Sequence, residues 1–96
     1  MSEDRTVLVT GAGGGLGREI ARLLLARGLR VAVADLDEDR LSETVDAAPQ
    51  RALVLPGDLT AEGAPEATVA AVVKRWGRID MLVNNAGYGA IQPFLE

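Results

Sequence analysis

Four short apolar runs recur along the chain, each bounded by glycine or charge: Arg5–Thr10 (RTVLVT), Arg30–Asp35 (RVAVAD), Arg51–Pro56 (RALVLP) and Asp80–Asn84 (DMLVN). Their Val and Leu residues are contiguous, the pattern of strands buried on both faces in a parallel sheet. Between these runs the spacing turns helical. Ile20, Leu23 and Leu24 form an apolar stripe after Gly15, and Gly28 stands where a helix would stop. Asp37 is a candidate N-cap ahead of Leu41 and Val45, which recur at i and i+4 in an otherwise polar stretch. Val69, Val72, Val73 and Trp76 fall at i, i+3, i+4 and i+7, with Pro65 suited to the first turn and Gly77 to the stop.

The order is β-α-β-α-β-α-β with short connections, which implies right-handed crossovers and a parallel sheet covered by helices on both faces. No internal repeat, low-complexity tract or linker interrupts residues 1–96 before Tyr88, where the periodicity fails.

Composition narrows the chemistry. The 96 residues are 48% hydrophobic and 25% charged and contain no Cys and no His. Zinc fingers, iron–sulfur ligation, thiol nucleophiles and imidazole-based triads are therefore excluded within them, and no metal site is expected. Carboxylates, hydroxyls and backbone amides must carry the chemistry. A net charge of −4 with scattered Arg offers no basic stripe for a phosphate backbone, so nucleic acid is not an expected partner. The apolar runs are too short to span a bilayer or to act as a signal peptide, and a cytoplasmic location is expected. A chain of this length buries only roughly 60–70% of its unfolded surface, so its core has little margin.

The first strand runs directly into Thr10-Gly11-Ala12-Gly13-Gly14-Gly15-Leu16-Gly17, and a helix follows. A tight strand-to-helix turn that admits a pyrophosphate to backbone N–H groups needs residues tolerant of positive φ and without Cβ. Five glycines in the seven positions from Gly11 to Gly17 supply them. A glycine-rich loop can also merely turn the chain, but strand before, helix after and an acid downstream are the context of a dinucleotide-binding fingerprint.

Asp35 ends the second strand 18 positions beyond Gly17, close to the spacing at which an acid meets the adenosine ribose. A carboxylate there accepts hydrogen bonds from both ribose hydroxyls and repels a 2′-phosphate, which favours NAD over NADP. The alternative is that Asp35 only opens the acidic run Asp35-Leu36-Asp37-Glu38-Asp39 at a helix N-terminus, a task Asp37 suits better. Arg40 would blur the preference if it swung toward the ribose, and is expected on the solvent face. Asp58-Leu59 closes the third strand at the carboxyl edge of the sheet. There Asp58 could meet an adenine amino group, or Asp58 or Thr60 could simply cap the next helix. Asn84-Asn85-Ala86-Gly87 ends the fourth strand as a polar turn that permits close backbone approach to a ligand, and an ordinary tight turn would look much the same.

Together these residues resemble the short-chain dehydrogenase/reductase superfamily. The Thr-Gly-x-x-x-Gly-x-Gly motif matches at Thr10, Gly11, Gly15 and Gly17, the strand-two acid at Asp35, an Asp-Leu pair at Asp58-Leu59, and Asn-Asn-Ala-Gly at Asn84 to Gly87. Trp76 to Asp80 and Pro93 to Glu96 resemble the family's flanking segments, so the likeness covers the whole chain. It implies a Rossmann-like doubly wound α/β fold with about four strands in the order 3-2-1-4 and three helices, incomplete relative to the full family fold. It also implies NAD as cofactor. Gly11, Gly13, Gly14, Gly15, Leu16 and Gly17 would line the pyrophosphate and its ribose, Asp35 and Leu36 the adenosine ribose, and Asp58 and Leu59 the adenine. Asn85, Ala86 and Gly87 would run beneath the cofactor, and Asn84 would tie the fourth strand into the sheet.

The family's hydride transfer between nicotinamide and an alcohol or ketone is implied to need a Tyr-x-x-x-Lys pair, an upstream Ser and an Asn on the fifth helix, all beyond residue 96. Tyr88 is the only Tyr, with Gln92 where Lys would stand, and Lys74 is the only Lys. No catalytic residue is expected in the chain and no turnover by it alone. The alternatives are a dinucleotide-binding module without turnover and a fragment of an S-adenosylmethionine-dependent methyltransferase. In the 3-2-1-4 order the apolar fourth strand (Ile79, Met81, Leu82, Val83) would be an uncovered edge, from which marginal stability, self-association or a partner chain is expected.

Overall fold

The computed structural model describes residues 5–85 and 90–93. In chain order it contains β1 (Thr6–Thr10), α1 (Gly15–Ala26), β2 (Arg30–Asp35), α2 (Glu38–Thr44), β3 (Ala52–Pro56), α3 (Ala64–Trp76), β4 (Met81–Asn84) and β5 (Ala90–Pro93), with a turn of 3-10 helix at Pro49–Arg51 before β3. The sheet order is β3-β2-β1-β4-β5. The first four strands are parallel, as expected, and their register sets Thr10 opposite Ala34 on one side and Asn84 on the other. Their C-terminal ends are therefore level, and everything that follows them emerges along one edge.

All five residues of β1 are buried, because the strand has neighbours on both sides and helices on both faces. Alternation along the strands divides the core in two. Val7, Val9, Val31, Val33 and Val83 pack with Ala21 and Leu25 of α1 and with Leu41 and Val45 at α2. On the other face Leu8, Ala32 and Ala34 pack with Val72 of α3 and Ile79, flanked by half-buried Leu53, Leu55, Val69, Trp76 and Leu82. The buried stripe of α1 differs from the expected one. Gly17, Ala21 and Leu25 face the sheet, Ile20 and Leu24 pack beside them, and Leu23 is exposed, because close packing of the first turn rotates the small residues inward.

The helix boundaries follow local chemistry. Gly28 at φ +90 ends α1, where the N–H of Leu29 reaches back to Leu24 O at 3.2 Å. The Asp37 carboxylate caps α2 by accepting from the N–H groups of Asp39 and Arg40 at 3.0 and 3.2 Å. Pro65 lies in the first turn of α3 and Gly77 at φ +83 closes it.

One expectation needs correction. The outer edge of β4 is not open: β5 pairs with it antiparallel, with Val83 opposite Ile91 and Asn84 opposite Ala90. An unpaired row of backbone N–H and C=O groups is costly, and the chain turns back to satisfy it. The β4 edge is therefore not the association surface expected from sequence.

At the opposite end of the sheet Asp80 fastens β4 to β1. Its N–H donates to Thr6 O at 2.8 Å, and its Oδ2 accepts from the Thr6 N–H at 2.8 Å. The Arg78 guanidinium donates to both carboxylate oxygens, at 2.6 Å for the shortest contact. These Arg78 bonds, aided by the Thr6 N–H and opposed by partial burial, hold the Asp80 carboxyl below the ordinary aspartate range. A carboxyl lowered in the folded state contributes stability above its unfolded pKa, and that contribution is lost as pH falls through the folded value. Asp80→Ala should cost about 1–3 kcal/mol at neutral pH by leaving the buried Thr6 N–H without its acceptor. The gap between urea melts of the two proteins should narrow as pH is lowered below the ordinary aspartate range. A gap of constant size would contradict this role for Asp80.

Candidate functional site

After Thr10 the chain reverses into α1 within four residues. Gly11 at φ +64 and Gly15 at φ +56 adopt left-handed backbone that residues with Cβ avoid. Gly17 is constrained by space instead: a Cβ there would lie 2.2 Å from Gly11 O. The first turn of α1 thus packs backbone to backbone against the end of β1. Gly14 precedes the helix with no side-chain cap, and no acid lies in the first turn, whereas α2 carries Glu38 and Asp39 there. The opening N–H groups of a helix lack intrahelical partners and sit at its positive end. Such positions are suited to accept an anion.

Asp35 lies at the C-terminal end of β2, beside this turn. Its Oδ2 accepts from Gly13 N–H at 2.8 Å and its Oδ1 from Leu36 N–H at 2.7 Å. A carboxylate has about four acceptor positions, so both oxygens retain capacity for another donor. Helix capping falls to Asp37, so Asp35 is not the cap of α2. A cavity of about 170 Å³ opens here, lined by Gly11, Asp35, Leu36, Gly57, Asp58, Leu59 and Thr60. A larger one of about 300 Å³ under α3, lined mainly by apolar groups, contains none of the charged residues. Five of the sequence-selected residues, Gly11, Asp35, Leu36, Asp58 and Leu59, therefore meet around one space. Leu36 and Leu16 are exposed beside the loop, and Leu59 also packs against the α3-side core.

Asp58 holds the turn after β3. Its Oδ1 accepts from the Thr60 hydroxyl at 2.6 Å and the Thr60 N–H at 2.9 Å. The hydroxyl bond, then the N–H bond, draw this exposed carboxyl below the ordinary aspartate range. Gly63 precedes α3 without a side-chain cap, so neither Asp58 nor Thr60 caps that helix. Arg40 is exposed and 3.9 Å from Asp37, yet its guanidinium lies 3.5 Å from where a Cβ on Gly14 would stand. It borders the loop as well as solvent.

At β4, the Thr10 hydroxyl donates to Asn84 Oδ1 at 3.0 Å and accepts from Asn85 N–H at 3.0 Å. Asn84 thus ties β4 into the sheet, and Asn85 Nδ2 reaches Gly11 O at 3.4 Å, a longer contact with the turn. Ala86, Gly87 and Tyr88 lie outside the described residues. Among the described residues no group of three or more His, Cys, Asp or Glu could hold a metal ion, and no helix is long and apolar enough to cross a membrane.

Two residues that sequence reasoning missed complete the surroundings of the loop. Arg18 Nη2 donates to Gly13 O and Arg40 O, both at 2.9 Å, and lies 3.3 Å from a Glu43 carboxylate oxygen. The buried Thr44 hydroxyl donates to Ala12 O at 2.7 Å and accepts from Arg18 Nε at 2.9 Å. The available signals were a polar residue on the buried stripe between Leu41 and Val45, and a cation near a helix N-terminus, where the dipole disfavours it.

Comparison with known proteins agrees with this geometry. A family model for short chain dehydrogenase matches residues 5–96. The 2-(R)-hydroxypropyl-CoM dehydrogenase of Xanthobacter autotrophicus is 44% identical over 87 residues, covering 86% of this chain and 35% of its own length. A solved actinorhodin polyketide ketoreductase with NADPH has a TM-score of 0.77 and 41% identity, covering 88% of this chain and 34% of that one. A 3-ketoacyl-(acyl-carrier-protein) reductase from Brucella melitensis complexed with NADH has a TM-score of 0.76 at 28% identity, covering 81% and 32%. The chain belongs to the short-chain dehydrogenase family, a family of oxidoreductases built on a Rossmann-type region that binds a nicotinamide dinucleotide. It spans 35 to 41% of the length of the curated relatives it matches.

Gly17 and Gly15 give a test of the loop. Gly17→Ala drives a Cβ into backbone and should cost about 3 kcal/mol or more, whereas Gly15→Ala meets open space and only left-handed strain of about 1–2 kcal/mol. Equal losses in urea melts would contradict the backbone contact between α1 and Gly11.

Proposed function

We propose that these residues hold the cofactor of an oxidoreductase that moves a hydride between a nicotinamide and an alcohol or ketone, with NAD preferred to NADP. Asp35 carries the proposal: a carboxylate at the end of β2 lines the cavity at the glycine turn and keeps acceptor capacity on both oxygens. Two ribose hydroxyls would donate to it, and a 2′-phosphate would be repelled by its charge. The first-turn N–H groups of α1 would take the pyrophosphate, Leu36 and Leu59 would flank the adenosine, and the glycines keep side chains out of its path. Asp58, at the same cavity, would face the adenine, and Asn85, Ala86 and Gly87 would continue toward the nicotinamide. The bound dinucleotide supplies the hydride acceptor or donor.

Proton transfer is not assigned to any of the 96 residues. Tyr88 and Gln92 do not form a Tyr-x-x-x-Lys pair, and Lys74 lies on α3. The second reading is a module that holds the dinucleotide without turnover. Membership of the short-chain dehydrogenase family sets aside the methyltransferase reading.

Calorimetric titration should give NAD a dissociation constant at least about tenfold below that of NADP, a difference of about 1.4 kcal/mol. Asp35→Asn should narrow that ratio, since a neutral amide no longer repels the extra phosphate. Tighter binding of NADP by the unaltered chain would overturn the NAD preference. The 96-residue chain should give no NAD-linked oxidation of simple alcohols, and clear turnover would refute the division of labour proposed here.

A further inference from the structure

Asp35 does not stand alone: it ends a chain of four polar groups that starts at Arg18 of α1 and passes through Thr44 of α2 and the Ala12–Gly13 peptide. Arg18 Nε donates to the Thr44 hydroxyl at 2.9 Å. The hydroxyl proton is thereby directed away from Arg18, and the shortest acceptor within reach is Ala12 O at 2.7 Å. Arg40 O lies at 3.0 Å but already accepts from Arg18 Nη2 at 2.9 Å. A peptide unit is planar and trans, so holding the Ala12 carbonyl fixes the Gly13 N–H, which points the opposite way within that plane. That N–H donates to Asp35 Oδ2 at 2.8 Å. Gly13 has no room for a Cβ, which would lie 2.9 Å from the same oxygen.

We infer that Thr44, oriented by Arg18, is a positioning residue for cofactor discrimination: it aims the Asp35 carboxylate through the peptide between Ala12 and Gly13. The inference rests on the reading of Asp35 as the ribose acid. The relay explains why a hydroxyl, 1% exposed, lies among the buried residues of α2 where an apolar side chain would otherwise fill the core. Each group in the chain both receives and gives a hydrogen bond or holds charge, so the members polarise one another. Loss of the hydroxyl releases the Ala12 carbonyl, frees the plane to rotate and lets the carboxylate turn from the position in which it accepts ribose and repels a 2′-phosphate.

The test compares Thr44→Val, Thr44→Ser and Arg18→Met with the unaltered chain, using amide NMR of Gly13 without ligand and titrations with NAD and NADP. In Thr44→Val the Gly13 amide should move upfield as its carboxylate bond weakens. The ratio of NADP to NAD dissociation constants should fall about fivefold to tenfold, mainly through weaker NAD binding. Thr44→Ser should restore both, and Arg18→Met should give a smaller change of the same sign, which keeps the relay testable if Thr44→Val does not fold. A purely structural role would weaken both dinucleotides equally and leave their ratio unchanged. An unmoved Gly13 amide in Thr44→Val, or in Arg18→Met if only that variant folds, overturns the relay whether or not NAD binds. A Gly13 amide that responds as expected in a chain that binds neither dinucleotide supports the relay and overturns the NAD reading.

Discussion

The contact on which this region depends is backbone against backbone: the first turn of α1 at Gly17 lies directly on the carbonyl of Gly11. β1 is buried on both faces and paired on both edges, so its end cannot move. The chain must therefore leave the sheet centre, reverse and start a helix that packs on the same strand, all between Thr10 and Gly15. Glycines with left-handed backbone make the turn, and the missing Cβ at Gly17 lets the helix approach. The positive end of α1 is thereby set at the C-terminal edge of the sheet, beside the ends of β2 and β4.

Parallel pairing does the rest of the placement. Register levels the ends of the strands, so Asp35, Asp58 and Asn85 arrive at one edge although they are far apart in sequence. The charges there are arranged with economy. Acids cap α2, whereas α1 has neither a cap nor an acid in its first turn. Arg18 would be poorly placed so close to that positive end, but its guanidinium is occupied by Gly13 O, Arg40 O and Glu43. The same side chain thus ties the loop carbonyl of Gly13 to α2.

Much of this was legible in the sequence, for identifiable reasons. β2 begins and ends at Arg30 and Asp35 as its apolar run does, and Gly28, Asp37 and Gly77 mark helix ends because capping is a short-range matter of φ and hydrogen bonding. The acid at Asp35 was legible because its place depends only on strand length and register. β5 was not: Ala90–Pro93 has no alternation and includes a proline, and it forms because the edge of β4 requires a partner. The exposure of Leu23 follows from the roll of α1 imposed by Gly17, a three-dimensional constraint that a stripe of apolar letters does not encode. Thr44 and Arg18 were missed for a related reason. Their roles arise between two helices, from side chains 26 residues apart in sequence, where a hydroxyl and a guanidinium meet the same loop.

In the proposed site, the glycine turn and Asp35 together form the adenosine diphosphate side. Amide NMR during titration with ADP-ribose, which lacks the nicotinamide, reads this residue by residue. The largest perturbations should fall on Gly13 to Gly17 and on Asp35 and Leu36, with smaller ones at Asp58 and Leu59. Perturbations centred under α3, or none at millimolar ligand, would contradict this assignment.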